Sequence, residues 1–161
     1  MRARNRIIII WMTLLIGLCL QIIPWSESYN IFKPHILILI FAYWLIALPH
    51  RVGIGTAFVF GAIMDLCTGS ILGTHALIYS FIAYLLVFKF QLILNLALWQ
   101  QSFIIFGVSV CYNLLVFLLQ VSIYHTITIS PLILISSCID GLLWIVIYPF
   151  LRLIRQSFAI N

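Results

Sequence analysis

Only three acidic residues stand in this chain of 161, and two of them, Asp65 and Asp140, lie deep in apolar sequence. A carboxylate in such surroundings can relay protons, bind a cation or a substrate, or lock packed helices together, because an ion there is costly without a partner. Asp65 belongs to a row at a strict four-residue interval: Gly53, Ala57, Gly61, Asp65, Gly69 and Gly73. Residues four apart share one helix face, and glycine or alanine on that face admits a second helix to close range. The row fits a seam inside a bundle and a surface for a partner helix equally well. Its last part, Gly69-Ser70-Ile71-Leu72-Gly73, reads as a connection that has left the helix.

Acid–base catalysis by paired carboxylates would require Asp65 with Asp140, which come from different spans at different depths. The chain has no GxSxG, no HExxH and no phosphate-binding glycine loop, so an enzyme is disfavoured and no cofactor is implied. His35, His50, His75 and His125 fall singly at span ends or in loops, as interface residues rather than metal ligands. Cys19, Cys67, Cys111 and Cys138 lack metal-ligand spacing and are expected to pack as small apolar residues within the bundle.

The elements that must position these groups follow from composition. The chain is 65% hydrophobic and 7% charged, with a mean hydropathy of +1.26, where a soluble domain carries roughly 25% charged residues. A helical crossing needs about 20 apolar residues. The length therefore accommodates six crossings with short connections, an all-α polytopic membrane bundle in a single domain over 1–161. The charges and prolines place the spans at about 7–23, 31–48, 52–67, 72–88, 102–122 and 131–151. Pro24-Trp25-Ser26-Glu27 closes the first, Pro49-His50-Arg51 the second and Lys89 the fourth, while Pro131 suits the first turn of the last.

With six spans, Arg2, Arg4, Arg6, Arg51, Lys89, Arg152 and Arg155 all fall at one side and only Lys33 at the other. The excess of Lys and Arg marks the cytoplasmic side, so both termini are expected to be cytoplasmic in an inner-membrane protein. Arg2, Arg4 and Arg6 before an apolar stretch resemble a signal sequence, but no small-x-small cleavage site follows. An uncleaved anchor is the better reading. The net charge of +5 then reports orientation and attraction to anionic membrane lipid. Nucleic acid is not an implied partner, since the basic residues form no cluster on a water-exposed face.

Two polar pairings follow from depth. Counted from His50, Lys33 lies 17 residues back and Asp65 lies 15 forward, which at ~1.5 Å per residue differ in depth by about 3 Å. A hairpin of the second and third spans would thus allow a Lys33–Asp65 ion pair near the periplasmic end. In the last hairpin, counted from Ile127, Asn113 and Asp140 are 14 and 13 residues away. They either bond each other or find serine or backbone partners separately. Lys89 to Gln101, KFQLILNLALWQQ, and the tail RLIRQSFAIN read as interfacial segments on the cytoplasmic side.

Gly53 to Leu77, GIGTAFVFGAIMDLCTGSILGTHAL, closely resembles the signature hairpin of the MreD family of bacterial rod shape-determining membrane proteins. The resemblance extends through LQIIPW, FKPHILILIFAYWLIALPHRV, KFQLILNLALWQQ and DGLLWIVIYPFLRLIRQSFA to nearly the whole chain. Gly53, Gly61, Asp65, Gly69 and Gly73 match the family's pattern, and Asp140 precedes a family-like Gly-Leu-Leu. The resemblance implies a non-enzymatic part of the rod complex that directs lateral peptidoglycan synthesis. Its implied partners are an MreC-like protein, an MreB-like filament, a RodA-like glycosyltransferase and a class B penicillin-binding transpeptidase. Families of this type are similar in membrane architecture to the substrate-binding components of energy-coupling-factor transporters. A small-molecule-binding component of a vitamin transporter is therefore the alternative. It would need a polar pocket, for which Glu27, Ser28, Tyr29, Asn30 and His75 are the periplasmic residues on offer. Secondary transporters show matched internal repeats, whereas the glycine row has no counterpart near Asp140.

Overall fold

The computed structural model describes residues 2–25, 32–124 and 133–157. Among these residues every regular element is helical: α1 (Arg2–Ile22), α2 (Ile36–Ala47), α3 (Ile54–Thr68), α4 (Thr74–Phe88), α5 (Phe90–Leu94), α6 (Leu98–Tyr124) and α7 (Ile133–Ser157). Ser26, Glu27, Ser28, Tyr29, Asn30, His125, Ile127 and Pro131, on which the first loop and the start of the last span were placed, lie outside the described residues. Leu98–Leu119 and Leu134–Ser157 are long and apolar enough to cross a membrane, and α1 to α4 carry shorter apolar stretches of 10–17 residues, Ile7–Ile22 in α1.

The sequence of α2, ILILIFAYWLIA, is apolar on every side. A helix with no polar face must be surrounded, and all residues from Leu37 to Ile46 are buried. It packs against α1, α4, α5 and α7. Trp44 fixes the α1 contact by donating from Nε1 to Thr13 Oγ1 at 2.9 Å. Gly17 of α1 allows close approach there, since a Cβ on it would stand 2.8 Å from Ile40 Cδ1. At 12 residues, α2 is about 18 Å long, well short of a ~30 Å hydrocarbon core. Its N-terminus begins against the rest of the protein, with Pro34 buried and His35 half-buried.

The remaining helices form two antiparallel pairs, α3 with α4 and α6 with α7. The expected hairpin of the second and third spans is not a principal pairing. Although Leu48–Gly53 is a short connection, α3 packs chiefly on α4 and also on α1. The reason lies in the small-residue row, whose members take separate roles. Gly53 precedes α3, where its N–H donates to Thr56 Oγ1 at 3.0 Å, and a Cβ there would meet nothing within 4 Å. Ala57 is fully buried. Gly61 lies against the start of α4, where a Cβ would come within 2.5 Å of Ala76 Cα. Gly69 and Gly73 have φ of +66° and +103° and make the expected turn, a conformation open to glycine at little steric cost.

The row is thus an intramolecular seam at Ala57 and Gly61. Gly61→Ala is expected to lower the stability of the purified protein by about 1–3 kcal/mol, because backbone atoms rather than flexible side chains meet the added carbon. Gly53→Ser should leave the thermal midpoint essentially unchanged, because space is open and serine is a favoured N-cap residue. Comparing the two melting curves in detergent checks the assignment.

Candidate functional site

Four backbone N–H groups at the start of any α-helix have no partner within the helix. Gly73, which precedes α4, has no side chain to cap them, and Asp65 reaches across from α3 to do so. Asp65 Oδ2 accepts from Gly73 N at 2.8 Å and from Ala76 N at 3.3 Å. Asp65 Oδ1 accepts from His75 N at 2.9 Å. The helix dipole adds attraction for a negative charge at this end. Two side chains complete the shell: Ser70 Oγ donates to Oδ1 at 2.7 Å, and His75 Nδ1 lies 2.7 Å from the same oxygen.

Asp140 repeats the arrangement on another pair of elements. Carried by α7, it accepts from the N–H of His35, the residue that precedes α2, at 2.8 Å through Oδ1. His35 Nδ1 stands 2.7 Å from Oδ2, and Ser109 Oγ of α6 donates to the same oxygen. Gln21 of α1 takes up another orphan of α2, with Leu37 N 3.5 Å from its Oε1. Asp65 is 1% exposed and Asp140 0%, so both carboxylates are sealed by these bonds. Tyr112 of α6 ties the two shells together, its ring centroid 4.7 Å from that of His35 and 6.3 Å from that of His75.

Serine, histidine and aspartate thus occur together twice, but not as a nucleophile-activating triad. There, carboxylate and hydroxyl occupy opposite nitrogens of the imidazole. Here Ser109 Oγ and Asp140 Oδ2 both face His35 Nδ1, at 3.5 Å and 2.7 Å. Ser70 Oγ and Asp65 Oδ1 likewise share His75 Nδ1, at 3.3 Å and 2.7 Å. The arrangement binds helix ends, and among the described residues no group of three His, Cys, Asp or Glu could hold a metal ion.

The Lys33–Asp65 ion pair is not formed. Lys33 lies in the non-helical stretch before α2, and its Nζ donates to Ile23 O at 3.1 Å. Equal depth on two ideal helices did not place it, because the residue is on neither helix and because the Gly69–Gly73 turn delivers His75 to Asp65 instead. Of the two options for Asn113, the separate one holds. Asn113 Nδ2 is 3.1 Å from Ser109 O, 3.4 Å from Ser136 Oγ and 3.2 Å from Ser137 Oγ. Ser109 then connects it indirectly to Asp140. Contrary to the expectation of buried thiols, Cys19, Cys67 and Cys138 are on the outer surface and Cys111 is half-buried.

Sequence reasoning treated His35 and His75 as isolated interface residues and did not single out Ser70, Ser109 or Tyr112. One clue was available for His75: it stands 10 residues after Asp65 across a glycine-bounded turn. For His35 and Asp140, 105 residues apart, spacing offered none.

Residues 1–154 match the family model described as rod shape-determining protein MreD. This chain belongs to the MreD family. A Haemophilus influenzae protein described as rod shape-determining protein MreD is 33% identical over 162 residues, which cover 98% of this chain and 99% of that one. No solved structure matches. The MreD family is one of shape-determining structural membrane proteins, and the long apolar helices α6 and α7 are compatible with that location. The two capped helix ends described above are thus features of an MreD-family bundle.

Removing one partner of a buried, bonded charge costs about 3–5 kcal/mol. Asp65→Asn and Asp140→Asn are therefore expected to reduce folded protein sharply, as read by thermal midpoint and membrane yield. In double-mutant cycles Asp65→Asn should couple strongly to His75→Ala and add independently to Lys33→Gln. Coupling to Lys33 with none to His75 would contradict the geometry.

Proposed function

We propose that this protein is a membrane scaffold of the rod complex, which maintains rod shape by holding an MreC-like protein and the wall-synthesis proteins together. In this reading α1, α2, α3, α4, α6 and α7 are six spans of the bacterial inner membrane, with both termini cytoplasmic. It acts by stoichiometric binding and is not an enzyme. The observation that carries the reading, beyond family membership, is that both membrane-embedded carboxylates are consumed in capping helices. A proton relay or a substrate site needs an acid free to change partners, whereas a scaffold needs helices held at fixed positions.

The partners follow the family: an MreC-like protein first, and with it an MreB-like filament, a RodA-like glycosyltransferase and a class B transpeptidase. Among the described residues, His75, which the vitamin-transporter alternative would need in its pocket, is instead bonded to Asp65. Depletion in a rod-shaped host is expected to give round, widened cells within a few generations. Affinity purification of the tagged chain should recover the MreC-like protein in comparable amount. A depleted strain that keeps normal rods would overturn the proposal.

A further inference from the structure

At the opposite end of α2 from the His35 shell, a recess of about 280 Å³ lies between the last turns of α2 and α7 and the short α5. Its lining includes Tyr43, Leu94, Tyr148, Arg152, Arg155 and Gln156. We infer that this recess binds the phosphate headgroup of an anionic phospholipid.

Three independent observations lead there. Tyr43 is 2% exposed, yet its hydroxyl is a buried polar atom with no hydrogen-bond partner. Leaving such a group unpaired costs about 1–3 kcal/mol, and a phosphate oxygen in the recess would accept its hydrogen. Arg155 lies beside the hydroxyl, but as a cation it offers donors only, so the phenolic hydrogen still lacks an acceptor. Second, Arg152 and Arg155, three residues apart on one helix face, both line the recess, and no acidic residue lines it. Planar guanidinium groups suit phosphate oxygens in forked geometry.

Depth is the third observation, and it rests on α7 being a span. The apolar stretch Leu134–Ser157 has 24 residues, about 36 Å of helix against a hydrocarbon core of ~30 Å. Its last turns, which bear both arginines, therefore reach headgroup level. Leu94 and the apolar end of α2 flank the recess, where the acyl part of a lipid would continue. That flank favours a lipid over free phosphate as the source of the anion.

The test uses the full-length protein purified in a neutral detergent, with added phosphatidylglycerol, phosphatidylcholine or inorganic phosphate. Thermal midpoint and lipid retained in native mass spectrometry are the readouts. Saturating phosphatidylglycerol is expected to raise the midpoint by about 5 °C, and phosphatidylcholine and inorganic phosphate should not. Arg152→Gln with Arg155→Gln should abolish this increment and weaken retention at least ~10-fold. Tyr43→Phe, which removes one oxygen and keeps the ring in place, should weaken retention about threefold or more, and it carries the test if the double variant does not fold. Equal effects of both lipids would overturn the site, as would unchanged phosphatidylglycerol binding in Tyr43→Phe. An equal effect of inorganic phosphate would overturn the lipid as occupant. Failure of the scaffold reading would instead appear in cell shape, which this measurement does not touch.

Discussion

Helix ends that stop inside an apolar protein must find hydrogen-bond partners there, because no water reaches them. The structure depends on that constraint. The starts of α2 and α4 both need such partners, and each is met by a carboxylate from a different helix: Asp140 for His35 N, and Asp65 for Gly73, His75 and Ala76 N. The same demand accounts for other buried polar side chains. Gln21 serves Leu37 N, and Gln101 donates from Nε2 to Ile93 O and Leu96 O, both at 3.1 Å, at the end of α5. Trp144 Nε1 then lies 3.4 Å from Gln101 Oε1. Each of these polar side chains serves a place where a helix terminates or meets another.

Because each cap comes from another element, satisfying the backbone also fixes tertiary geometry. Asp65 joins α3 to α4, and Asp140 joins α7 to α2. Tyr112 of α6 lies beside both histidines and also packs edge-on to Tyr79 of α4, with ring centroids 6.0 Å apart. At Gly61 the missing Cβ is what allows α3 to bring Asp65 to the start of α4. The small-residue row and the carboxylate within it are one device: close approach permits the cap, and the cap holds the close approach.

Much of this was legible in the sequence, and the limits have physical causes. Hydropathy and the charge pattern located the six main helices to within a few residues at most ends, because apolar length and helix-ending prolines and charges are one-dimensional properties. The misses in extent were α2, expected over 31–48 and found shorter over Ile36–Ala47, and α6 and α7, which run longer than the expected 102–122 and 131–151. Residues 33–35, Lys-Pro-His, lie inside the expected span but outside the helix, which is why Lys33 was given a helical depth it does not have. The turn at Gly69–Gly73 was readable from glycine spacing. Rotation about a helix axis was not, since a depth count says nothing of azimuth. Asp140 therefore met Ser109 and His35 rather than the Asn113 amide directly. His35 and Asp140 are joined only by the way α7 packs on α2, and no local spacing encodes that.

The division between the two ends of the bundle bears on how such a protein can act. At the end bearing His35 and His75, the carboxylates of Asp65 and Asp140 are turned inward and bonded, so they contribute rigidity and offer little to a partner. At the other end, Arg152 and Arg155 line an open recess beside the unpaired Tyr43 hydroxyl. Between them the outer surface is apolar, with Phe103, Leu114, Leu142, Val146 and Phe150 all exposed on α6 and α7. A lipid-facing surface of that kind gives helices no hydrophobic drive to associate. Specific association of helices in such surroundings then has to come from shape complementarity along their faces, or from groups at the membrane surfaces. A rigid interior serves both, because a shape is recognisable only if its helices keep their positions, and the two carboxylate caps hold them.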